Sequence, residues 1–297
     1  MSRFRALFFT VLRWTPLPWL LRHTYQRRAV TVLTYHNPAP DTARRHFRAL
    51  ARRYRVISLR DLERALRQGR FDELPPRALV LTLDDGLREV ADLEPVCQDL
   101  RLPLTVFLCS GIAGTGRRFW FTHPLPVAEK ERLKRLPHRE RLRQLEEAGF
   151  DQQLESDPPQ ALSSEQIARL SEVMDFQAHT RFHPCLPTCE DAEAWEEIEG
   201  SRRELEQQHE LEIYSLAYPN GDYGPREAEM ARRAGFRCAV TTDHGVNRAA
   251  ADPFLLRRIS MNEDGGTAEA IVTASGLWGF LRPALVQAFR RLGYASR

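Results

Sequence analysis

From Val30 onward, short apolar runs rich in β-branched residues alternate with amphipathic, helix-like stretches. This alternation restricts the fold more than any other feature of the chain. VTVLTY (30–35), RALVLTL (77–83), LPLTVFLC (102–109), VMDFQA (173–178), IYSLA (213–217), FRCAVTT (236–242) and FLLRRIS (254–260) read as strands, with YRVIS (54–58) a shorter one. Between them, segments such as LRDLERALRQG (59–69) have helical spacing, Gly69 supplying a C-terminal stop. Strands that alternate with helices need crossover connections, and so run parallel in a barrel or a doubly wound sheet. The chain of 297 residues is long enough for one large α/β domain or two small ones.

Four of these strands end in residues that carry chemistry. The first runs into His36, RALVLTL into Asp84, Asp85 and Gly86, VMDFQA into His179 and His183, and IYSLA into Tyr218-Pro219-Asn220-Gly221. In parallel α/β folds the C-terminal strand ends converge on the face that holds the site. Two adjacent carboxylates behind a buried strand are costly unless a cation or donors compensate them. Two imidazoles and one carboxylate are a ligand set for catalytic zinc that leaves a position open for water. That set would occupy one aspartate and leave its neighbour free as a base.

Other classes of function find little support. Apolar residues at 42%, charged residues at 28% and a net charge of +3 are ordinary for a globular protein, and no zinc-finger spacing or long basic tail points to nucleic acid. No G-x-G-x-x-G or P-loop follows a strand, so dinucleotide and nucleotide readings lose their main support. Cys97, Cys109, Cys185, Cys189 and Cys238 are an odd set in a chain too large to need disulfide staples, which favours a reducing compartment.

With these residues in view, the chain resembles the polysaccharide deacetylases (carbohydrate esterase family 4). LTLDDG is similar to their aspartate motif and HTRFHP to their H-[ST]-x-x-H-P metal motif, about 95 residues apart and in the same order. With the Y-P-x-G segment, the resemblance spans about residues 31–261. It implies a distorted (β/α) barrel, often seven-stranded, and metal-dependent removal of N-acetyl groups from amino sugars. Carried over, Asp84 is the general base, while Asp85, His179 and His183 hold a divalent metal, Zn2+ foremost. The turn Tyr218-Pro219-Asn220 would supply an oxyanion donor. The pattern is incomplete: Ala217 stands where many members have an arginine, Asn220 replaces a common aromatic, and no leucine-histidine motif follows Phe254. A subgroup with a Tyr-His first strand and an arginine-rich last strand fits better. It makes His36 the expected acid and Arg257 or Arg258 the source of the missing positive charge. Trp120 is a candidate sugar-stacking residue, whereas His123, Asp243 and His244 are weaker site candidates.

The expected substrate is therefore an N-acetylated saccharide or lipid-linked glycan. The alternatives are a catalytically weak carbohydrate-binding or scaffold barrel, and a related amidase or deformylase. The expected organisation is a basic amphipathic segment at 1–29, a barrel at 30–265 with a helical insertion at about 111–162, and an amphipathic segment at 266–297. The first segment carries six arginines, and Arg13 and two prolines interrupt it before a membrane span is reached. It also lacks a small-residue cleavage site, which argues against a signal peptide. It suits either an anionic membrane surface or packing on the barrel, so the expected location is the cytoplasm or the inner membrane surface. Pro283 is expected to kink any helix in the last segment.

Overall fold

The computed structural model describes residues 3–282. Eight strands follow the apolar runs: β1 (Val30–Tyr35), β2 (Arg55–Val56), β3 (Ala78–Leu83), β4 (Thr105–Leu108), β5 (Asp175–Ala178), β6 (Ser215–Ala217), β7 (Cys238–His244) and β8 (Leu256–Ser260). Seven of them close a ring in the order β1-β3-β4-β5-β6-β7-β8, because β1 pairs with β8 on one side and β3 on the other. All the pairings between these strands are parallel. The short β2 pairs with the start of β3 (Arg55↔Ala78, Val56↔Leu79), and β4 takes over where β3 ends (Thr82↔Thr105). Of the barrel and the doubly wound sheet that the alternation leaves open, the (β/α) barrel implied by the resemblance is the fold.

The strands divide their side chains with a period of two. Val30, Val32, Val80, Phe107, Val240 and Leu256 form one apolar cluster with Leu59, Leu62 and Phe71. Their neighbours Leu33, Tyr35, Leu79, Leu81, Leu83 and Leu108 join a second cluster with the surrounding helices. Both faces of the strands are buried, which is why the strands read as continuous apolar runs rather than alternating ones.

Local signals place the helices. Helix Leu59–Arg67 starts in a capping box between Ser58 and Asp61 and ends two residues before Gly69, whose φ is +65°. A second capping box, between Ser163 and Gln166, opens helix Ser164–Leu170. The polar stretch 127–149, within the expected helical insertion, holds two helices. It forms Val127–Leu133 and His138–Glu147, broken at Pro137, whose ring cannot continue a helix but suits the start of the next. Ahead of the barrel, helix Arg3–Trp14 packs through Phe9 on Val272 and Leu277, and helix Leu17–His23 follows it. No described helix is long and apolar enough to cross a membrane. The kink expected at Pro283 lies outside the described residues.

Candidate metal centre and catalytic cleft

Because the ring is parallel, the C-terminal strand ends share one face. His36 follows β1, Asp84 and Asp85 follow β3, and His179 follows β5. Asp85, His179 and His183 are all buried, and one ligand atom from each lies within 4.8 Å of the others. The Nε2 atoms of His179 and His183 each stand 3.5 Å from the same oxygen, Asp85 Oδ1. That is too long for strong hydrogen bonds, so three donors converge without satisfying one another.

Their protonation fits a cation. His179 Nδ1 lies 2.7 Å from the Ala217 carbonyl oxygen, which can only accept, so Nδ1 carries the proton and Nε2 presents its lone pair. Burial is the main cause that lowers His183 to about 4, so its ring is neutral at pH 7. Burial alone would raise Asp85, but the neighbouring His179 and His183 outweigh it and keep the carboxyl below its usual range. Two imidazoles and a carboxylate are a donor set that Zn2+ favours, and a structural site would need a fourth protein ligand. The residues present therefore fit a catalytic divalent cation.

The backbone is bent to build this cluster. Asp85, Thr180, His183 and Asn220 all have positive φ, at 72°, 65°, 56° and 57°, a conformation that costs energy for residues with a side chain. Gly86 follows at φ 64°, and a Cβ there would run into the Leu108 side chain. The loop of His179 to His183 is held from behind. Glu197, buried on the long helix Asp191–His209, accepts from the Arg181 and Phe182 N–H groups at 2.9 Å each. Trp120 Nε1 donates to the His183 carbonyl oxygen at 2.9 Å.

Asp84 sits beside this cluster with its own partner. Arg258, fully buried in β8, clamps it in a fork: Nη1 to Oδ1 and Nη2 to Oδ2, both 2.7 Å. Arg258 also donates to the Thr241 carbonyl oxygen and Thr82 Oγ1. Burial pushes Asp84 up, but the charge and hydrogen bonds of Arg258 win and hold it well below the usual carboxylate range. Arg257, the other candidate, is exposed.

His36 is the exposed member, with 54% of its side chain open at the rim. Its Nδ1 is 3.7 Å from Glu263 Oε1, and its backbone N–H donates to the same carboxylate. Surrounding protein pushes its pKa down, but the Glu263 hydrogen bond and the Asp84 and Asp85 charges raise it to about 9. Glu263 was absent from the sequence reading. The rule that singles out other strand ends reaches it, since it lies three residues past β8. Glu197 has no such signal, being one acid among several on its helix.

Two expectations need correction. Trp120 is only 3% exposed and packs with Leu133, Leu145, Phe150 and Cys185, so its ring is closed to a sugar. Its amphipathic indole is used from the inside, the N–H on the His183 loop and the ring in a core. Tyr218 is likewise fully buried, its hydroxyl donating to the Phe254 carbonyl oxygen, and its N–H is committed to Val240. Pro219 has no N–H, and those of Gly221 and Asp222 close the turn. Among the described residues, the Asn220 N–H is the donor of this turn left without a partner. His123 is spent on the Ala148 carbonyl oxygen within the insertion.

The polysaccharide deacetylase family model matches residues 72–239, which carry both aspartates and both histidines of the cleft. The chain belongs to the polysaccharide deacetylase family. It thereby falls among hydrolases of non-peptide C–N bonds. Its fold is similar to that of the Streptococcus pyogenes deacetylase PplD, solved in complex with acetate, with a TM-score of 0.61 and 21% identity over 83% of this chain and 98% of that one. IcaB from Ammonifex degensii gives 0.61 and 20% over 83% and 97%. BC0361, a polysaccharide deacetylase from Bacillus cereus, gives 0.58 and 17% over 83% and 69%. No curated protein matches the sequence significantly.

Proposed function

We propose that this family member removes the N-acetyl group from an amino sugar of a polysaccharide, oligosaccharide or lipid-linked glycan, using a divalent cation held by Asp85, His179 and His183. The observation that carries the reading is the unsatisfied donor set within 4.8 Å beside a second, ionised carboxylate that is not needed as a ligand. A binding or scaffold protein has no use for that second buried charge.

When bound, a divalent cation supplies Lewis acidity toward the acetamide carbonyl and makes water more acidic. Asp84 accepts the proton that the attacking water releases. Each of its oxygens spends one lone pair on Arg258 and keeps another, and the fork fixes the direction in which that lone pair points. Arg258 thus does from β8 what the absent arginine at position 217 would do. The Asn220 N–H, left unspent by its turn, is the proposed donor to the developing oxyanion. His36, protonated through Glu263, gives its proton to the departing amine nitrogen as the C–N bond breaks, leaving acetate and the free amino sugar.

The test is acetate release from N-acetylglucosamine oligomers, with metal content measured on the same samples. Wild type should hold about one divalent ion per chain, as the three-ligand site requires, and turn over. Asp85→Ala and His179→Ala should lose both ion and turnover. Equal metal in wild type and these variants would show the ligand set to be wrong.

A further inference from the structure

Helix Arg3–Trp14 has two apolar faces. Phe9, with Phe8 and Leu12, packs on the helix Thr267–Ala274 and on Leu277 and Trp278. The other face presents Phe4, Leu7, Val11 and Trp14, which are 78%, 63%, 58% and 77% exposed. Leu17, Trp19 and Leu20 of the next helix add side chains 42%, 55% and 46% exposed. Single exposed leucines are ordinary, but seven large apolar side chains within seventeen residues form a patch that asks for a partner.

Charge beside the ridge selects the partner. A cavity of about 490 Å³ is lined by Arg13, Arg45, Arg48, Arg52 and Arg53. Of these, Arg48 pairs with Asp99 at 2.6 Å, an acid it shares with Arg44. Arg45 reaches the Thr42 hydroxyl and Arg53 the Ala49 carbonyl oxygen, while Arg13 lies over the Trp14 ring. Burial, then the Arg13, Arg22 and Arg52 charges, hold Arg53 below its ordinary value, the mark of a cationic cluster short of anions. Arg27 and Arg28 stand exposed farther along.

We propose that this face docks on an anionic lipid bilayer, the apolar ridge entering the acyl boundary and the arginine cavity taking lipid phosphates. Aromatic and aliphatic side chains next to clustered arginines are the combination that holds an interfacial helix on such a surface. Docking also orients the cleft. Arg5, on the first turn of the helix, binds Glu269, which accepts from Asn262 Nδ2 at 2.9 Å. Glu263, the partner of His36, is the next residue, so the start of the ridge and the open rim of the cleft lie close together. The bilayer contact stands independently of the deacetylase reading. Where both hold, the substrate is presented at a membrane surface.

The test is flotation of the full-length chain with vesicles of phosphatidylcholine and phosphatidylglycerol, against phosphatidylcholine alone. The chain should float with the anionic vesicles, at least about tenfold less with neutral ones, and come off at high salt. Leu7→Glu/Val11→Glu and Arg45→Glu/Arg52→Glu should each weaken flotation by roughly tenfold or more, with the far-ultraviolet circular dichroism unchanged. If the apolar variant fails to fold, the arginine variant decides. Wild type that stays soluble beside anionic vesicles overturns the proposal, as do variants that float like wild type. A dimer that Leu7→Glu/Val11→Glu splits and that never floats would assign the ridge to a second copy. A monomer that never floats would overturn the bilayer contact as well. Neither result involves acetate release, so failure here is separable from failure of the catalytic reading.

Discussion

The two sides of the cleft are built to opposite rules. On one side, Asp84, Asp85, His179 and His183 are buried, and each is held by neighbours or by a backbone in a conformation that few residues adopt. On the other, His36 stands half open with one carboxylate, Glu263, beside it. The buried side must keep three ligand atoms and a base in fixed relation, and a low-dielectric site whose loops are braced from behind does that. The open side must admit a sugar and let a proton leave, which a buried histidine could not do. Precision and access are thus divided between the strands β3, β5 and β8 and the rim after β1.

The contrast can be broken most severely at Asp84. Asp84→Asn should lower acetate release by roughly a thousandfold, the scale of a lost general base, while metal stays bound. Unchanged turnover would remove Asp84 from the mechanism. Arg258→Met comes next. It leaves a buried carboxylate without its cation, which should cost about 3–5 kcal/mol in urea unfolding and raise the acid limb of the pH profile. The sign follows from the depressed Asp84 pKa. Its contribution to stability is full above the usual carboxylate range and fades as pH falls through the lower folded value. In Arg258→Met that contribution should vanish at every pH, and a variant as stable as wild type would refute the buried clamp.

Glu263→Gln probes the open side. His36 is raised above its ordinary value, so it stays protonated until pH approaches about 9. Removing the Glu263 charge should move the basic limb toward lower pH by on the order of one unit, with little loss at the optimum. A basic limb that does not move would separate His36 from the acid role. Trp120→Phe should have the smallest effect. It removes one hydrogen bond to the His183 carbonyl oxygen, worth about 1 kcal/mol, and should loosen metal binding several-fold while leaving KM for the sugar unchanged. A large rise in KM would restore Trp120 to the substrate.

Much of this was legible along the chain. The strands of the ring lie where apolar runs were read, because strands buried on both faces leave an unbroken apolar signature. Asp84, Asp85, His179 and His183 were legible because each lies within five residues of the end of such a run. Arg258 was only half legible: a charge inside an apolar strand is odd, but nothing local says which carboxylate it meets. Trp120 was misread, since an aromatic in a polar insertion carries no mark of the direction in which it will pack.

The order of strands and helices, and with it the class of fold, followed from periodicities that a few neighbouring residues express on their own. So did the convergence of an aspartate pair and a histidine pair on one face. What only the tertiary structure decided was partnership: Arg258 with Asp84 across 174 positions, Glu263 with His36 across 227, and the fate of the Trp120 indole. Closure of the barrel brings those pairs together, and closure is a property of all seven strands at once rather than of any segment.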